Sequence, residues 1–254
     1  MDAHSHQLIA FGAAFAAGAI NSVAGGGTLV SFPALVWLGL PSITANATST
    51  VAIWPGSVGG MFGFRHELHE TEPRMFSLIG PSLIGGIAGA LLLQMTPTET
   101  FDRLVPIRIL FATFLFMAPD RVQRLLKRGA SAPSGSRWMI GALLFQLAIG
   151  LYGGYFGAGI GILMLAALSI MGLSDIHQMN ALKNLFALCI NGVAALYFVW
   201  MGMVSWPDVI LMAVGAIAGG IGGAGVARRL GRVAVRRIVI AIGLVMAVTL
   251  MFKK

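Results

Sequence analysis

Two glycine-rich segments interrupt long apolar stretches of the sequence. One reads Asn21-Ser22-Val23-Ala24-Gly25-Gly26-Gly27-Thr28, and the other reads Gly153-Gly154-Tyr155-Phe156-Gly157-Ala158-Gly159. Glycine clusters break helices, and a helix that restarts after a break presents free N–H groups and a positive dipole end, which bind anions. The alternative is that these glycines only let helices pack closely. The candidate anion-binding residues of the two segments are Asn21, Ser22, Gly25, Gly26, Gly27, Thr28, Gly157 and Gly159.

Further polar residues open the apolar stretch that follows each segment. A cation such as Lys183 facing a cavity would suit an anionic substrate. A lysine whose ammonium group reaches back to the membrane surface fits the same pattern, and the asparagines and threonine could equally be helix caps. The candidate binding residues here are Asn46, Thr48, Ser49, Asn180, Lys183 and Asn184.

Three more polar residues lie inside apolar stretches. Ser57 and Asn191 hold equivalent mid-helix positions, and we expect them to form hydrogen bonds between helices. Arg108 lies five residues beyond Arg103, and we expect its guanidinium group to extend to the membrane surface.

The sequence offers no convincing catalytic or metal-binding constellation, so we expect neither an enzyme nor a cofactor. His66-Glu67-Leu68-His69-Glu70 does not match the His-Glu-x-x-His zinc motif and lies in a polar segment. Cys189 is the single cysteine, so no internal disulfide can form. A phosphate-binding loop is excluded because no Gly-Lys-Ser/Thr follows the glycines.

The composition is that of a membrane protein. Of the 254 residues, 57% are hydrophobic and 10% are charged, whereas soluble domains carry about 25% charged residues. The net charge of +8 comes from short clusters between apolar stretches, which argues against nucleic-acid binding. Residues 3–64 contain no Asp, Glu, Lys or Arg. Because a bilayer crossing takes roughly 20 apolar residues in a helix, the sequence predicts an all-α polytopic membrane protein.

An internal repeat organises the chain. Asn46-Ala47 matches Asn180-Ala181, and Gly85-Gly86-Ile87 matches Gly219-Gly220-Ile221, both at an offset of 134 residues. Upstream the offset is 132 residues, which relates Gly18 to Gly150. Each half is therefore predicted to be one glycine-broken helical hairpin followed by three long transmembrane helices. The predicted helices span 7–24, 28–40, 44–64, 74–95 and 101–118 in the first half and 138–156, 160–172, 179–201, 207–227 and 236–252 in the second.

Charge predicts the topology of the repeats. The linker carries five basic residues against Asp120, and the predicted loop 228–237 carries five arginines and no acid, so both should be cytoplasmic. A hairpin and two long helices lie between them, so the hairpin crosses an even number of times, either by dipping in or by spanning twice. Each half then crosses an odd number of times, and the repeats have inverted topology with both termini outside. The predicted domains are a first membrane repeat (1–119), a basic cytoplasmic linker (120–137) and a second membrane repeat (138–254).

The run from Gly18 to Ser49 resembles the sulfite exporter TauE/SafE family. It has the Gly-Gly-Gly turn, then Pro33, Gly39 and Ala45-Asn46-Ala47-Thr48-Ser49. The run from Gly150 to Asn184 is similar to the second half of that family, although Leu182-Lys183 replace Thr48-Ser49 and no proline matches Pro33. The resemblance implies a permease of the bacterial inner membrane that moves small sulfur-containing anions such as sulfite or organosulfonates, usually outward.

The predicted function is a multi-pass permease of the bacterial inner (plasma) membrane that exports or exchanges such anions by alternating access. We expect gradients to drive it, because no ATP-binding motif is present. The expected partners are a small anionic substrate and the lipid bilayer, not nucleic acid, and a homo-oligomer stays open. The alternatives are a permease for another small anion such as a carboxylate, or a non-transporting accessory subunit of the membrane.

Overall fold

The computed structural model describes residues 2–23, 26–63, 65–69, 71–117, 136–173 and 175–252. No strand occurs among these residues. Gly25 and most of the basic linker lie outside them, as does the side chain of Ser22. The helices are α1 (Ala3–Val23), α2 (Thr28–Trp37), α3 (Ser42–Gly63), α4 (Arg65–His69), α5 (Ile79–Met95, preceded by a 3₁₀ helix over Pro73–Leu78), α6 (Thr98–Met117), α7 (Ser136–Tyr155), α8 (Ile160–Ile170), α9 (Ile176–Trp200), α10 (Trp206–Ala218) and α11 (Ala224–Phe252).

Each glycine-rich segment separates a long helix from a short one. The first arms, α1 and α7, have 21 and 20 residues, whereas the returning arms, α2 and α8, have 10 and 11. At about 1.5 Å per residue, a first arm matches the roughly 30 Å hydrocarbon core and a returning arm reaches about halfway. Both hairpins therefore combine a spanning-length helix with a half-length helix.

The backbone explains why the second hairpin breaks where it does. Gly157 and Gly159 have φ angles of 76° and 79°, in the left-handed region that glycine enters without steric penalty. Gly159 is also the residue from which α8 starts. A residue with a Cβ at either position would strain the turn, so the sequence Gly-Ala-Gly terminates α7 and restarts the chain as α8.

One predicted boundary is wrong. The loop expected over 228–237 is helical, and the irregular segment lies earlier, as a π-helix over Gly219–Gly223. Four of these five residues are glycines, which disfavour regular α-helix, whereas arginine is a good helix former. The charged residues therefore continue a helix instead of forming the connection.

The two halves pack on each other reciprocally. A Cβ at Gly18 of α1 would clash with the Ala216 carbonyl of α10, and a Cβ at Gly150 of α7 would lie 3.1 Å from the Ser82 carbonyl oxygen of α5. Gly150 is the repeat equivalent of Gly18, and Ala216 is that of Ser82. The first arm of each hairpin thus packs against a helix of the opposite half, at a distance that excludes a side chain at Gly18 and leaves little room for one at Gly150.

The packed helices in these pairs run in the same direction. His6 lies beside Asp208, and farther along both helices Phe15 lies beside Gly219, so α1 and α10 are parallel. Ser82 lies beside Gly150, and farther along Gly89 lies beside Tyr155, so α5 and α7 are parallel as well.

The outer surface is apolar. Ile84 of α5, Leu196 of α9 and Ile210 of α10 are exposed to 64%, 63% and 63%. Two described helical stretches, Pro73–Met95 and His177–Trp200, are long and apolar enough to cross a bilayer. A surface of this kind fits contact with lipid chains better than contact with water.

The reciprocal packing predicts a contrast between two glycines of α7. A Cβ at Gly154 would clash with the Gly86 carbonyl of α5, whereas a Cβ at Gly141 meets nothing within 4 Å. We expect Gly154→Ala to lower the stability of the purified protein by about 1–3 kcal/mol. Gly141→Ala, the matched control, should leave it unchanged or raise it by up to about 1 kcal/mol. Thermal unfolding in detergent measures both, and equal melting temperatures would contradict the packing.

Candidate functional site

A cavity of about 300 Å³ lies where the two hairpin breaks meet the central helices α3 and α9. Its walls come from α1, α2 and α3 of the first half, from the second hairpin and α9, and from α10 and the π-helix. Both halves of the chain therefore contribute to one site. The polar side chains that line it are those of Asn21, Thr28, Thr50, Ser57, Lys183, Asn184 and Asn191.

The returning helices of both hairpins begin at the cavity. Thr28 is the first residue of α2 and Ile160 is the first residue of α8, and both line the cavity together with Gly157. Thr28 and Ile160 are repeat equivalents at the offset of 132 residues. The positive dipole ends of two half-length helices are thus directed at the same space, which favours a negatively charged occupant.

Asn21 closes the break in the first hairpin. Its side-chain oxygen accepts a hydrogen bond from the N–H of Gly27 at 3.3 Å. This bond links the end of α1 to the start of α2 across the glycines and holds one wall of the cavity in place. Asn21 also lines the cavity, so its amide serves both the hairpin and the site.

Lys183 supplies the charge of the site. It lines the cavity although only 8% of the residue is exposed, and its Nζ donates to Oδ1 of Asn180 at 3.2 Å. Among the described residues that line the cavity, Lys183 alone is charged and none is acidic. A buried cation at the wall of a cavity favours a negatively charged occupant of that cavity.

Several polar side chains at the cavity have no protein partner. Within the described part of the chain, the side chains of Thr28, Ser57, Asn184 and Asn191 form no hydrogen bond. The expectation that Ser57 and Asn191 bond between helices is therefore wrong, and both open into the cavity instead. Their free hydroxyl and amide groups are donors for a ligand or for water.

Apolar side chains complete the walls. Ile53, Trp54 and Ile217 lie among the polar groups. The indole N–H of Trp54 is engaged elsewhere, because it donates to the carbonyl of Leu188 at 3.2 Å. Trp54 and Leu188 are repeat equivalents, so α3 and α9 meet at matching positions. The cavity is therefore amphipathic, with an apolar ring system on one wall and a cation on another.

Three predicted binding residues of α3 hold helices together outside the cavity lining. Asn46 donates through Nδ2 to the Tyr155 carbonyl at the end of α7, at 3.1 Å. Thr48 accepts the N–H of Ser205 through Oγ1 at 3.0 Å. The Ser49 hydroxyl lies 2.6 Å from a serine hydroxyl of α2. These contacts position the walls of the site.

The remaining predicted residues in the described part of the chain also lie outside the lining. Gly26 lies against the Phe116 ring, Gly27 against the backbone of α1, and Gly159 against α6. Asn180 is the hydrogen-bond partner of Lys183. Asn46 and Asn180 are not helix caps, because α3 begins at Ser42 and α9 is capped by Asp175.

The end of the second hairpin is held by aromatic and cationic groups. Arg108 donates through Nη2 to the Tyr155 hydroxyl at 2.7 Å, and its guanidinium carbon lies 4.0 Å from the centre of that ring. Tyr152 donates to the carbonyl of Ala158 at 2.7 Å. Arg108 therefore stacks against the end of the second hairpin, and its guanidinium carbon also lies 5.0 Å from the centre of the Phe101 ring in the first turn of α6. The expectation that this group extends to the membrane surface stays a prediction. The role of Arg108 here is to fix the hairpin beside the cavity.

Comparison with known proteins places these features in a family. The model of the family described as sulfite exporter TauE/SafE matches residues 10–250. The chain belongs to the sulfite exporter TauE/SafE family. With this membership and its all-helical fold, the TauE/SafE chain is a membrane permease, as the sequence predicted.

Curated relatives agree with this assignment. A probable membrane transporter protein of Haemophilus influenzae is 25% identical over 96% of this chain and 94% of its own length. The probable membrane transporter protein YfcA of Escherichia coli K12 is 26% identical over 96% of this chain and 89% of its own. A probable membrane transporter protein, ORF9, of Sinorhizobium sp is 24% identical over 95% and 90%. No solved structure matches the chain.

The sequence contains a signal for the cavity residues of this TauE/SafE protein that the site prediction missed. Thr50, Trp54 and Ser57 recur at helical spacing and share one face of α3. Asn191, the repeat equivalent of Ser57, shares one face of α9 with Asn184, the predicted binding residue that is equivalent to Thr50. Neutral polar residues on one face of an otherwise apolar membrane helix indicate a wet surface, and their repetition at the same offset strengthens the indication.

Water access to this cavity can be tested by cysteine labelling. In a Cys189→Ser background, we expect Ser57→Cys to react readily with an anionic methanethiosulfonate reagent, because Ser57 lines the cavity. Ser49→Cys is the matched control from the same helix, and it should be protected because Ser49 has 0% exposure. Labelling of purified protein followed by mass spectrometry measures both rates. Protection of Ser57→Cys equal to that of Ser49→Cys would show a closed, dry centre.

Proposed function

We propose that this TauE/SafE protein is a multi-pass permease of the bacterial inner membrane that exports or exchanges small sulfur-containing anions. The observation that carries the proposal is the cavity between the two hairpins, with Lys183 as its charge and free hydroxyl and amide donors around it. No covalent chemistry is required, because the substrate binds on one side and leaves on the other. Gradients of the anion or of a coupled ion drive the movement.

Inverted repeats provide the framework for this transport. Within the second half, α7, α8, α9 and α10 follow one another through short turns, so α10 runs opposite to α7 when each turn reverses the chain. Because α10 is parallel to α1, α1 and α7 then run in opposite directions. This supports the inverted topology that the charge distribution predicts, and inverted repeats around a central site are a recurrent basis of alternating access.

The dimensions and the walls favour an organic anion. A volume of about 300 Å³ is roughly ten times the share of one water in the liquid, so a bare sulfite ion would occupy a small part of it. Trp54, Ile53 and Ile217 offer apolar surface to a carbon chain, whereas Lys183 and the helix starts suit the charged head. We therefore favour an organosulfonate over sulfite itself.

A flux assay in proteoliposomes tests the function. Reconstituted protein should catalyse efflux of ethanesulfonate faster than efflux of sulfite, and both faster than protein-free vesicles. Preferential efflux of acetate or propionate would favour a carboxylate permease, which shares the same charge. Vesicles with folded protein that move none of these anions would contradict the proposal and favour an accessory subunit.

Removing the cavity charge should weaken substrate binding. For Lys183→Gln we expect the KM for ethanesulfonate to rise roughly 10- to 100-fold, the loss typical of a hydrogen bond to a charged group. Arg103→Gln is the matched control, because Arg103 is an exposed cation of α6 away from the cavity. Initial rates of efflux over a range of internal concentrations measure both. An unchanged KM in Lys183→Gln would place the anion elsewhere.

A further inference from the structure

A second buried charge lies outside the cavity. Among the described residues, Lys183 and Asp208 are the charged side chains in the buried class, with 8% and 7% exposure. Lys183 belongs to the anion site, whereas the proposed function does not use Asp208. A carboxylate buried in a membrane protein is costly, and such groups commonly carry protons in transporters.

The Asp208 carboxylate is held by donors on both oxygens. One oxygen lies 2.8 Å from Nε2 of His6, and the other accepts the hydroxyl of Ser205 at 2.6 Å. The backbone N–H of Ser205 in turn donates to Oγ1 of Thr48 at 3.0 Å. The His6 side chain is 29% exposed, so protons from water can reach the pair.

This network joins three helices that line the cavity. His6 is on α1, Asp208 on α10 and Thr48 on α3. Thr48 is two residues from Thr50 at the cavity wall, and Asp208 is eight residues, about 12 Å of helix, before Ala216, which also lines it. A change in the pair therefore acts on the walls of the anion site.

Few other titratable or charged groups face this pair. The ionisable neighbours of His6 along the chain are Asp2, just before α1, and His4 in its first turn. The described parts of α3, α10 and the π-helix add none besides Asp208. The basic cluster of α11, which also packs on α1, begins at Arg228, twenty residues of helical chain beyond Asp208. Asp102 of α6 accepts from Ser42 of α3, six residues before Thr48. His6 and Asp208 are the titratable pair that links α1 to α10.

We propose that His6 and Asp208 form the proton-binding site of this permease, and that a proton accompanies each anion through the membrane. The proposal rests on the proposed function, because it couples the proton to the anion at Lys183. With a proton on His6, the pair is a charge-assisted hydrogen bond that ties α1 to α10. When the proton leaves, the Asp208 carboxylate stays charged without its counter-charge, and burial of that charge becomes unfavourable.

Release of the proton thus favours a state in which water reaches Asp208 and α1 separates from α10 at this end. Separation of these helices opens the wall of the cavity formed by Gly18 and Ala216. Proton and anion then leave on the same side, and one proton with one monoanion makes the net movement electroneutral.

Proton movement can be measured with the wild-type protein. Proteoliposomes are loaded with ethanesulfonate and a pH-sensitive dye, and potassium with valinomycin holds the membrane potential at zero. Ethanesulfonate is the anion of a strong acid, so it carries no proton of its own. We expect the interior to become alkaline in step with efflux. Efflux without a pH change would overturn the coupling and leave the permease intact, whereas absence of efflux would overturn both.

Variants of His6 and Asp208 test whether these two residues couple proton movement to anion efflux. In Asp208→Asn and in His6→Gln we expect the ratio of protons to ethanesulfonate to fall to near zero, and in Asp208→Glu we expect it to be retained. Asp102→Asn is the matched control, because Asp102 is an exposed acid that accepts from Ser42 outside this network. A wild-type ratio in both Asp208→Asn and His6→Gln would overturn the assignment. If Asp208→Asn does not fold, His6→Gln alone decides, since its glutamine can still donate to the carboxylate.

Discussion

The structure depends on close contact between the first arm of each hairpin and a helix of the opposite half. Gly18 admits the Ala216 carbonyl, and its repeat equivalent Gly150 approaches the Ser82 carbonyl. Since a side chain at Gly18 would push these backbones apart and one at Gly150 would be tight, the contacts set how far each hairpin reaches into the other half. They bring both glycine-broken turns to the meeting point of α3 and α9, and the cavity exists because two half-length helices begin there.

This arrangement also accounts for the charges of the interior. Lys183 is tolerated in an apolar bundle because it borders a polar cavity and donates to Asn180. Asp208 is tolerated because both of its oxygens are paired. Lys183 on α9 and Asp208 on α10 lie at separate places in the bundle, and the packing of α1, α3 and α10 would link the proposed anion site to the proposed proton site.

The two halves are similar in backbone and unequal in side chains. Thr50 and Asn184 are equivalents at the cavity wall, yet the equivalent of Lys183 is Ser49, which is buried against α2. Arg108 fixes the second hairpin, whereas the equivalent position in the second half is Ile242. The two hairpins thus match in the order and lengths of their helices, whereas single positions in one half supply the charge.

The sequence by itself determined the membrane class, the hairpin positions, most helix boundaries and the family. Those properties follow from local composition, because uncharged length, glycine clusters and the repeat offset need no knowledge of distant contacts. Only the tertiary structure decided which polar residues share a site. In the structure, Ser57 and Asn191 line the cavity, and His6 pairs with Asp208. Asn46, Thr48 and Arg108 instead form contacts between helices. The physical reason is that these contacts join residues more than a hundred positions apart in the sequence, and local composition does not determine which distant helices meet.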